Sequence, residues 1–112
     1  LYCMDETDGE SLRVCGQIGE GLYGFVTGEA STKPLLATAC TASEDLLTWT
    51  CTLREGVKFH NGATFDATDV VDTFASVWDC ANPLHKGRTS VFSYWSLISG
   101  FLNPDSCVTP AE

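Results

Sequence analysis

The sequence has no long apolar run and few basic residues. Its uninterrupted apolar stretches are only a few residues long, far below the ~20 residues of a transmembrane helix, so no membrane insertion is predicted. Fifteen Asp and Glu residues against six Lys and Arg residues give a formal net charge of −9. Because this charge repels nucleic-acid phosphates, nucleic acid is not an expected partner.

Motifs of common catalytic sites are also missing. The chain has no G-x-S-x-G elbow, no phosphate-binding loop, no H-E-x-x-H and no C-x-x-C pair, so neither an enzyme nor a catalytic residue is predicted. His60 and His85 are candidate metal ligands, and Asp66 and Asp69 follow His60. Their spacing is not a compact ligand pattern, so no metal site or cofactor is expected.

The composition is that of a globular protein. Of the 112 residues, 44% are hydrophobic and 11% are aromatic, which predicts a single domain over residues 1–112. The chain begins with Leu1 and not with Met. We therefore expect that a leader or a longer precursor was removed, although an engineered excision would give the same N-terminus.

Six cysteines form an even set in a short chain. This pattern predicts three disulfides and an oxidising, extracytoplasmic compartment, and six cysteines allow 15 connectivities.

The clearest local pattern is a β-hairpin around residues 44–46. Trp49 and Cys51 alternate with threonines, as in a strand, and residues 40–43 form the preceding strand. With Asp45 and Leu46 at the turn centre, Cys40 faces Cys51. Opposed residues of an antiparallel pair come near disulfide distance, so a Cys40–Cys51 bond is predicted.

Two amphipathic helices are expected on either side of this hairpin. Residues 7–21 carry apolar side chains at helical spacing, with Asp8 or Ser11 as the cap and glycines that favour an early end. A second helix follows the cap Asp66, and its apolar stripe includes Trp78. The prediction is extended structure at residues 22–26, a polar loop at 27–34, an amphipathic stretch at 90–101 and an irregular tail at 103–112.

Trp49, Trp78, Trp95, Tyr23 and Tyr94 are candidates for a peptide-binding groove. The strand and helix patterns favour core packing for Trp49 and Trp78. The positions of Tyr94 and Trp95 are left open.

Several runs occur in the order and spacing of one family. They are residues 21–25 with 34–38 (GLYGF, PLLAT), 53–62 (LREGVKFHNG), 65–71 (FDATDVV), and 82–86 with 92–95 (NPLHK, FSYW). Together they resemble family 5 of the bacterial extracytoplasmic solute-binding proteins, the dipeptide, oligopeptide and nickel binders of ABC importers. The resemblance covers roughly residues 7–101, but only a small N-terminal part of a full family member.

The resemblance implies a subdomain inserted in the N-terminal lobe of a two-lobed receptor, and it implies a peptide or other small solute and an ABC permease as partners. It places Thr7, Asp8, Gly9, Glu10 and Ser11 near the cleft between the lobes, so they are the predicted ligand contacts. The family hairpin usually has Asp-Gly where this chain has Asp45-Leu46, and bulky apolar residues at positions 40 and 51.

An inserted subdomain has neighbouring ends, so the resemblance implies a Cys3–Cys107 bond, which leaves Cys15 to pair with Cys80. A loop of about 100 residues closed in this way is worth ~4.7 kcal/mol in the chain-entropy model.

The predicted fold is α+β, with a small antiparallel sheet, a central hairpin, two or three flanking helices and disulfide cross-links. The leading functional hypothesis is solute binding for an ABC importer, by a fragment or stand-alone subdomain outside the cytoplasm. The alternative hypothesis is a secreted structural module that self-assembles as a homo-oligomer or filament.

Overall fold

The computed structural model describes Cys3, residues 8–78 and residues 82–84, without the side chain of Trp78. The chain divides into two compact units. One is Ile18–Ala67, and the other combines Leu1–Gln17 with Thr68–Glu112. The prediction of a single domain over residues 1–112 stays a prediction.

Helix α1 spans Gly9–Ile18. Asp8 caps it, because its carboxylate accepts a hydrogen bond from the Ser11 N–H at 2.9 Å and its carbonyl accepts one from the Leu12 N–H at 3.0 Å. The helix ends before Gly19, as the weak helix propensity of glycine predicts. Of its predicted apolar stripe, Cys15 is buried, whereas Ile18 is 64% exposed.

Strands β1 (Tyr23–Phe25) and β2 (Thr32–Pro34) form the first antiparallel hairpin. The expectation of a polar loop over residues 27–34 is wrong for its second half. Pro34 lies at the end of β2, where strands tolerate a residue without an N–H. Gly28 has φ of 82° in the connecting turn, a conformation that glycine adopts without strain.

The segment after β2 ties the two hairpins of this unit together. The N–H groups of Leu35 and Ala37 both donate to the carbonyl of Leu22, each at 3.0 Å. Arg54 then donates from its backbone N–H to Leu36 at 2.8 Å and from Nε to the Leu35 carbonyl at 2.9 Å. Ala37 is fully buried within this network.

Strands β3 (Ala37–Ala42) and β4 (Trp49–Leu53) form the predicted central hairpin. The predicted register is confirmed, with Ala42 opposite Trp49 and Cys40 opposite Cys51. Cys40 and Cys51 form a disulfide across a Cα–Cα distance of 4.0 Å. Between Ala37 and Ala39 the register shifts by one residue, which is a β-bulge.

Residues 57–65 fold into a short loop that leads to the second helix. The Phe59 N–H donates to Ala63, the Gly62 N–H donates to Phe59, both at 2.8 Å, and Gly62 has φ of 87°. A turn that ends in a left-handed glycine is the usual form of a three-residue hairpin loop. The rings of Phe59 and Phe65 pack edge to face, with centroids 6.0 Å apart.

Helix α2 spans Ala67–Trp78 and follows directly on Asp66, as predicted. Val77 is buried and Phe74 is half-buried on the expected apolar stripe, whereas Val71 lies 61% exposed. Among the residues that the structure describes, no helix is long and apolar enough to cross a membrane.

The α+β fold class is confirmed, since the described residues form two helices and two small antiparallel sheets. The predicted stretches 90–101 and 103–112 lie outside the described residues, as do Tyr94 and Trp95.

Candidate functional site

The predicted ligand contacts fall on the first turn of α1. Asp8 is its cap, and Gly9, Glu10 and Ser11 are its first three residues. Thr7 lies outside the described residues. Asp8, Gly9 and Glu10 are exposed and Ser11 is half-buried, so these four neighbours share one accessible helix end.

Local hydrogen bonds define the electrostatics of this helix end. The Ser11 N–H, and after it the Ser11 hydroxyl, lower the pKa of the Asp8 carboxyl below 3.8. Glu10 lies 3.4 Å from the Arg13 guanidinium in an exposed ion pair. This end of α1 therefore presents two carboxyl groups, one that accepts a hydrogen bond from the helix backbone and one that is paired with Arg13.

The helix is anchored by a disulfide that differs from the predicted connectivity. Cys15 bonds to Cys3, with their Cα atoms 5.6 Å apart. The predicted bonds Cys3–Cys107 and Cys15–Cys80 are therefore wrong. The correct bond closes a loop of only 12 residues of sequence separation and does not join the two ends of the chain. Cys80 and Cys107 lie outside the described residues.

A second exposed surface, absent from the predicted site, lies at the turn of the central hairpin. We call it the hairpin tip and define it as Leu46, Leu47 and Trp49, which are 67%, 83% and 65% exposed. Trp49 was expected in the core, and that expectation is wrong. Its cross-strand partner is the small Ala42, itself exposed, which covers little of the ring.

Hydrogen bonds hold the hairpin tip in one conformation. The Ser43 hydroxyl and the Leu47 N–H both donate to the Asp45 carboxylate, and the Thr48 N–H donates to the Ser43 hydroxyl at 3.0 Å. The Trp49 indole N–H donates to the Leu46 carbonyl at 3.2 Å. The tip is therefore an ordered apolar surface. Its position next to a turn was the sequence signal for exposure.

The other candidate residues lie on other elements of the chain or outside the described residues. Tyr23 lies in β1, on the first hairpin, and is 37% exposed. His60 lies in the turn before Gly62. In the part of the chain that the structure describes, no three His, Cys, Asp or Glu side chains form a metal-binding group. His85 and Trp95 lie outside that part.

Comparison with known proteins gives a family match over most of the chain. The family described as bacterial extracellular solute-binding proteins, family 5 Middle, matches residues 31–104. That span includes β2, the central hairpin, the 57–65 loop and α2. No solved structure matches the chain.

Curated proteins that are similar to this chain are also solute-binding proteins. The glutathione-binding protein GsiB of Salmonella paratyphi A is 44% identical over 66 residues, which cover 59% of this chain and 13% of the relative. The probable di/tripeptide-binding protein 5 of Pseudomonas aeruginosa is 41% identical over 79 residues, with coverages of 65% and 15%. The nickel-binding periplasmic protein of Escherichia coli K12 is 49% identical over 51 residues, with coverages of 46% and 10%.

The chain thus spans no more than about a sixth of the length of these relatives, 15% of the di/tripeptide-binding protein and 13% of the glutathione-binding protein. These relatives are solute-binding proteins and not enzymes. Because the family match extends over residues 31–104 of 112, the chain belongs to the family 5 bacterial extracellular solute-binding proteins.

Proposed function

We propose that this chain is one part of the solute-binding component of an ABC importer, that it works outside the cytoplasm, and that the imported solutes are peptide-type molecules. The observation that carries the proposal is the family match over residues 31–104. The disulfides Cys3–Cys15 and Cys40–Cys51 support a location outside the reducing cytoplasm.

The choice of a peptide-type solute rests on two of the relatives described above. The relatives named for glutathione and for di- and tripeptides align with 59% and 65% of it, and the nickel-binding relative aligns with 46%. Glutathione is itself a tripeptide, so the two longer alignments share one solute chemistry.

Within the whole protein, we propose that Thr7, Asp8, Gly9, Glu10 and Ser11 contribute solute contacts. The two carboxylates of this helix end suit the amino group of a peptide. We expect the 112-residue chain alone to bind peptides no better than background, since a peptide site needs several groups that converge from different directions.

The test is a titration of the complete gene product that contains this chain. Glutathione, a mixture of di- and tripeptides, and Ni²⁺ are added in separate isothermal titrations. We expect heat of binding with a peptide arm and none with Ni²⁺. Binding of Ni²⁺ alone would overturn the choice of solute. A product that ends with this chain and binds nothing would overturn the transport function and favour the structural module.

The helix-end contacts have their own matched pair of variants. Glu10→Gln removes a carboxylate from the predicted contact segment, and Glu20→Gln removes another exposed carboxylate outside it. We expect a several-fold loss of peptide affinity in the complete product for Glu10→Gln only. Equal affinities of the two variants would contradict the role of this segment but leave the proposed solute class unaffected.

A further inference from the structure

Asn61 is the one asparagine of this chain whose side chain can react with the backbone nitrogen of the next residue. The sequence has three asparagines, and Asn82 and Asn103 are each followed by proline, which has no backbone N–H. Asn61 is followed by Gly62, which has an N–H and no Cβ to hinder a close approach. A reaction between an asparagine side chain and the following backbone nitrogen is therefore confined to this dipeptide.

The reaction open to this pair is succinimide formation followed by hydrolysis. The Gly62 nitrogen forms a bond to Cγ of Asn61, the Cγ–Nδ2 bond breaks, and the side-chain nitrogen leaves as ammonia with the proton of the Gly62 amide. Water then adds to one of the two carbonyl carbons of the ring and breaks the bond of that carbon to the Gly62 nitrogen. Opening at Cγ gives an aspartate at position 61, and opening at the main-chain carbon gives an isoaspartate. Water is the only co-reactant.

In the folded loop both reacting groups are held in hydrogen bonds. The Gly62 N–H donates to the Phe59 carbonyl at 2.8 Å, and Oδ1 of Asn61 accepts from the Ala63 N–H at 3.0 Å. An amide proton that is bonded to a carbonyl is removed by base only when the local structure opens. The attack on Cγ requires that removal, so the closed loop keeps the Gly62 nitrogen unreactive.

Water reaches this pair, and a ring contact keeps the loop closed. Asn61, Gly62 and Ala63 are exposed, and a Cβ added at Gly62 would meet no atom of the described residues within 4 Å. The rings of Phe59 and Phe65, one on each side of the turn, pack edge to face. Such aromatic pairs stabilise a fold beyond their buried area. The frequency of loop opening therefore depends on this contact.

We propose that Asn61 is a deamidation site of this chain and that opening of the 57–65 loop sets the rate of the reaction. Deamidation adds a negative charge to a chain whose net charge is already −9. The isoaspartate product also inserts a methylene group into the main chain, inside a turn that backbone hydrogen bonds close. The isoaspartate form is thus a loop that cannot close in the same way again. The proposal goes beyond solute binding and does not depend on it.

The test compares the 112-residue chain in its folded state and unfolded in guanidinium chloride, with its disulfides intact and in mildly alkaline buffer. Peptide mapping by mass spectrometry follows deamidation of Asn61, and the peptide that contains Asn82 is the internal blank. Hydrogen exchange of the Gly62 amide is measured under the same conditions. We expect deamidation to be at least about tenfold slower in the folded chain, by the same factor that protects the Gly62 amide.

A matched pair of variants tests the role of the loop. Phe59→Ala removes the ring contact with Phe65, and Phe25→Ala removes a ring of β1 that is 74% exposed. We expect Phe59→Ala to speed both deamidation of Asn61 and exchange of the Gly62 amide several-fold, and Phe25→Ala to leave both at the parent rate. Protection of the β3 and β4 amides shows that a variant is folded, and if Phe59→Ala loses it, the folded and unfolded parent chains decide.

Three results would each overturn the proposal. The first is an unfolded chain in which Asn61 does not deamidate. The second is an equal rate of deamidation in the folded and unfolded chains, because the closed loop would then give no protection. The third is faster deamidation in Phe59→Ala without faster exchange of the Gly62 amide, because the reaction would then not depend on opening of the loop.

Discussion

Leu46 adopts a backbone conformation that its residue type does not favour. It has φ of 60°, the left-handed region, which costs a non-glycine residue roughly 1–2 kcal/mol. Its side chain is 67% exposed, so it recovers little by burial. The turn therefore requires a left-handed conformation at this position but not a leucine side chain. The family resemblance implies glycine at the same position.

We accordingly expect Leu46→Gly to raise the free energy of unfolding by about 0.5–1 kcal/mol, the relief of strain less the extra entropy of the unfolded glycine. Leu47→Gly is the matched control, because Leu47 is 83% exposed and not among the residues with positive φ. It should lower the free energy of unfolding. Chemical denaturation under non-reducing conditions gives both values, and a less stable Leu46→Gly variant would contradict the strain.

Asp45 makes the hairpin turn sensitive to acid. The Ser43 hydroxyl, and after it the Leu47 N–H, lower the pKa of the Asp45 carboxyl below 3.8. A carboxyl whose pKa is lower in the folded state stabilises the fold above its unfolded pKa, and this contribution is lost as the pH falls through the folded pKa. We expect a carboxyl titration by NMR to give a pKa below 3.8 in the parent and one closer to 3.8 in Ser43→Ala. Equal values in both chains would contradict the assigned cause.

At the scale of elements, the central hairpin depends on its cross-link. Its only fully buried residue is Ala37, and most of its other side chains are exposed. A disulfide with a sequence separation of 11 is worth about 3 kcal/mol in the chain-entropy model. That value is a large fraction of the stability of a small protein.

Cys40→Ala/Cys51→Ala should therefore lower the free energy of unfolding by about 3 kcal/mol. Denaturant titration of the oxidised proteins measures the change. Cys3→Ala/Cys15→Ala is the comparison, since its bond closes a loop of similar length in the other unit. It should leave hydrogen exchange in the central hairpin at the parent rate. Parent-like stability after loss of Cys40–Cys51 would show that the strands hold without the bond.

The same elements show which parts of the fold are readable from sequence. Alternation around Asp45 fixed the faces and the register of β3 and β4, and Asp8 and Asp66 marked the helix starts. Strand β2 escaped notice because Thr32–Pro34 is short, polar and ends in proline, so its pairing with β1 is a tertiary effect. Trp49 was misplaced because alternation shows that two residues share a face and does not show what covers it.

The disulfide pairing and the candidate site were less predictable, because both depend on which residues meet in three dimensions. Cysteine spacing does not choose among connectivities, and the Cys3–Cys15 bond depends on where Cys3 lies relative to α1 in three dimensions. The Asp8 cap was readable from its residue type, whereas solute contact depends on groups that converge in three dimensions.

At the scale of the whole molecule, net charge opposes the compact state. The formal net charge of −9 makes acidic side chains of the folded chain repel one another, and salt screens this repulsion over a Debye length that falls from roughly 30 Å at 0.01 M to 10 Å at 0.1 M. We expect the free energy of unfolding of the 112-residue chain to rise over that range of NaCl, as measured by denaturant titration. A free energy of unfolding that fell with salt would show that attraction between opposite charges outweighs the repulsion.

The β-bulge at Thr38 has a consequence for how this chain tolerates deletions. Thr38 is the extra residue between Ala37, which pairs with Leu53, and Ala39, which pairs with Thr52, and its hydroxyl donates to the Thr52 carbonyl at 3.2 Å. Thr38 itself has no partner in β4, so its loss would leave the pairs on both sides of it in register, whereas loss of a paired residue such as Thr41 would shift the register by one and exchange the two faces for the residues before it. A one-residue deletion should therefore be accepted at Thr38 and excluded at Thr41 among functional variants.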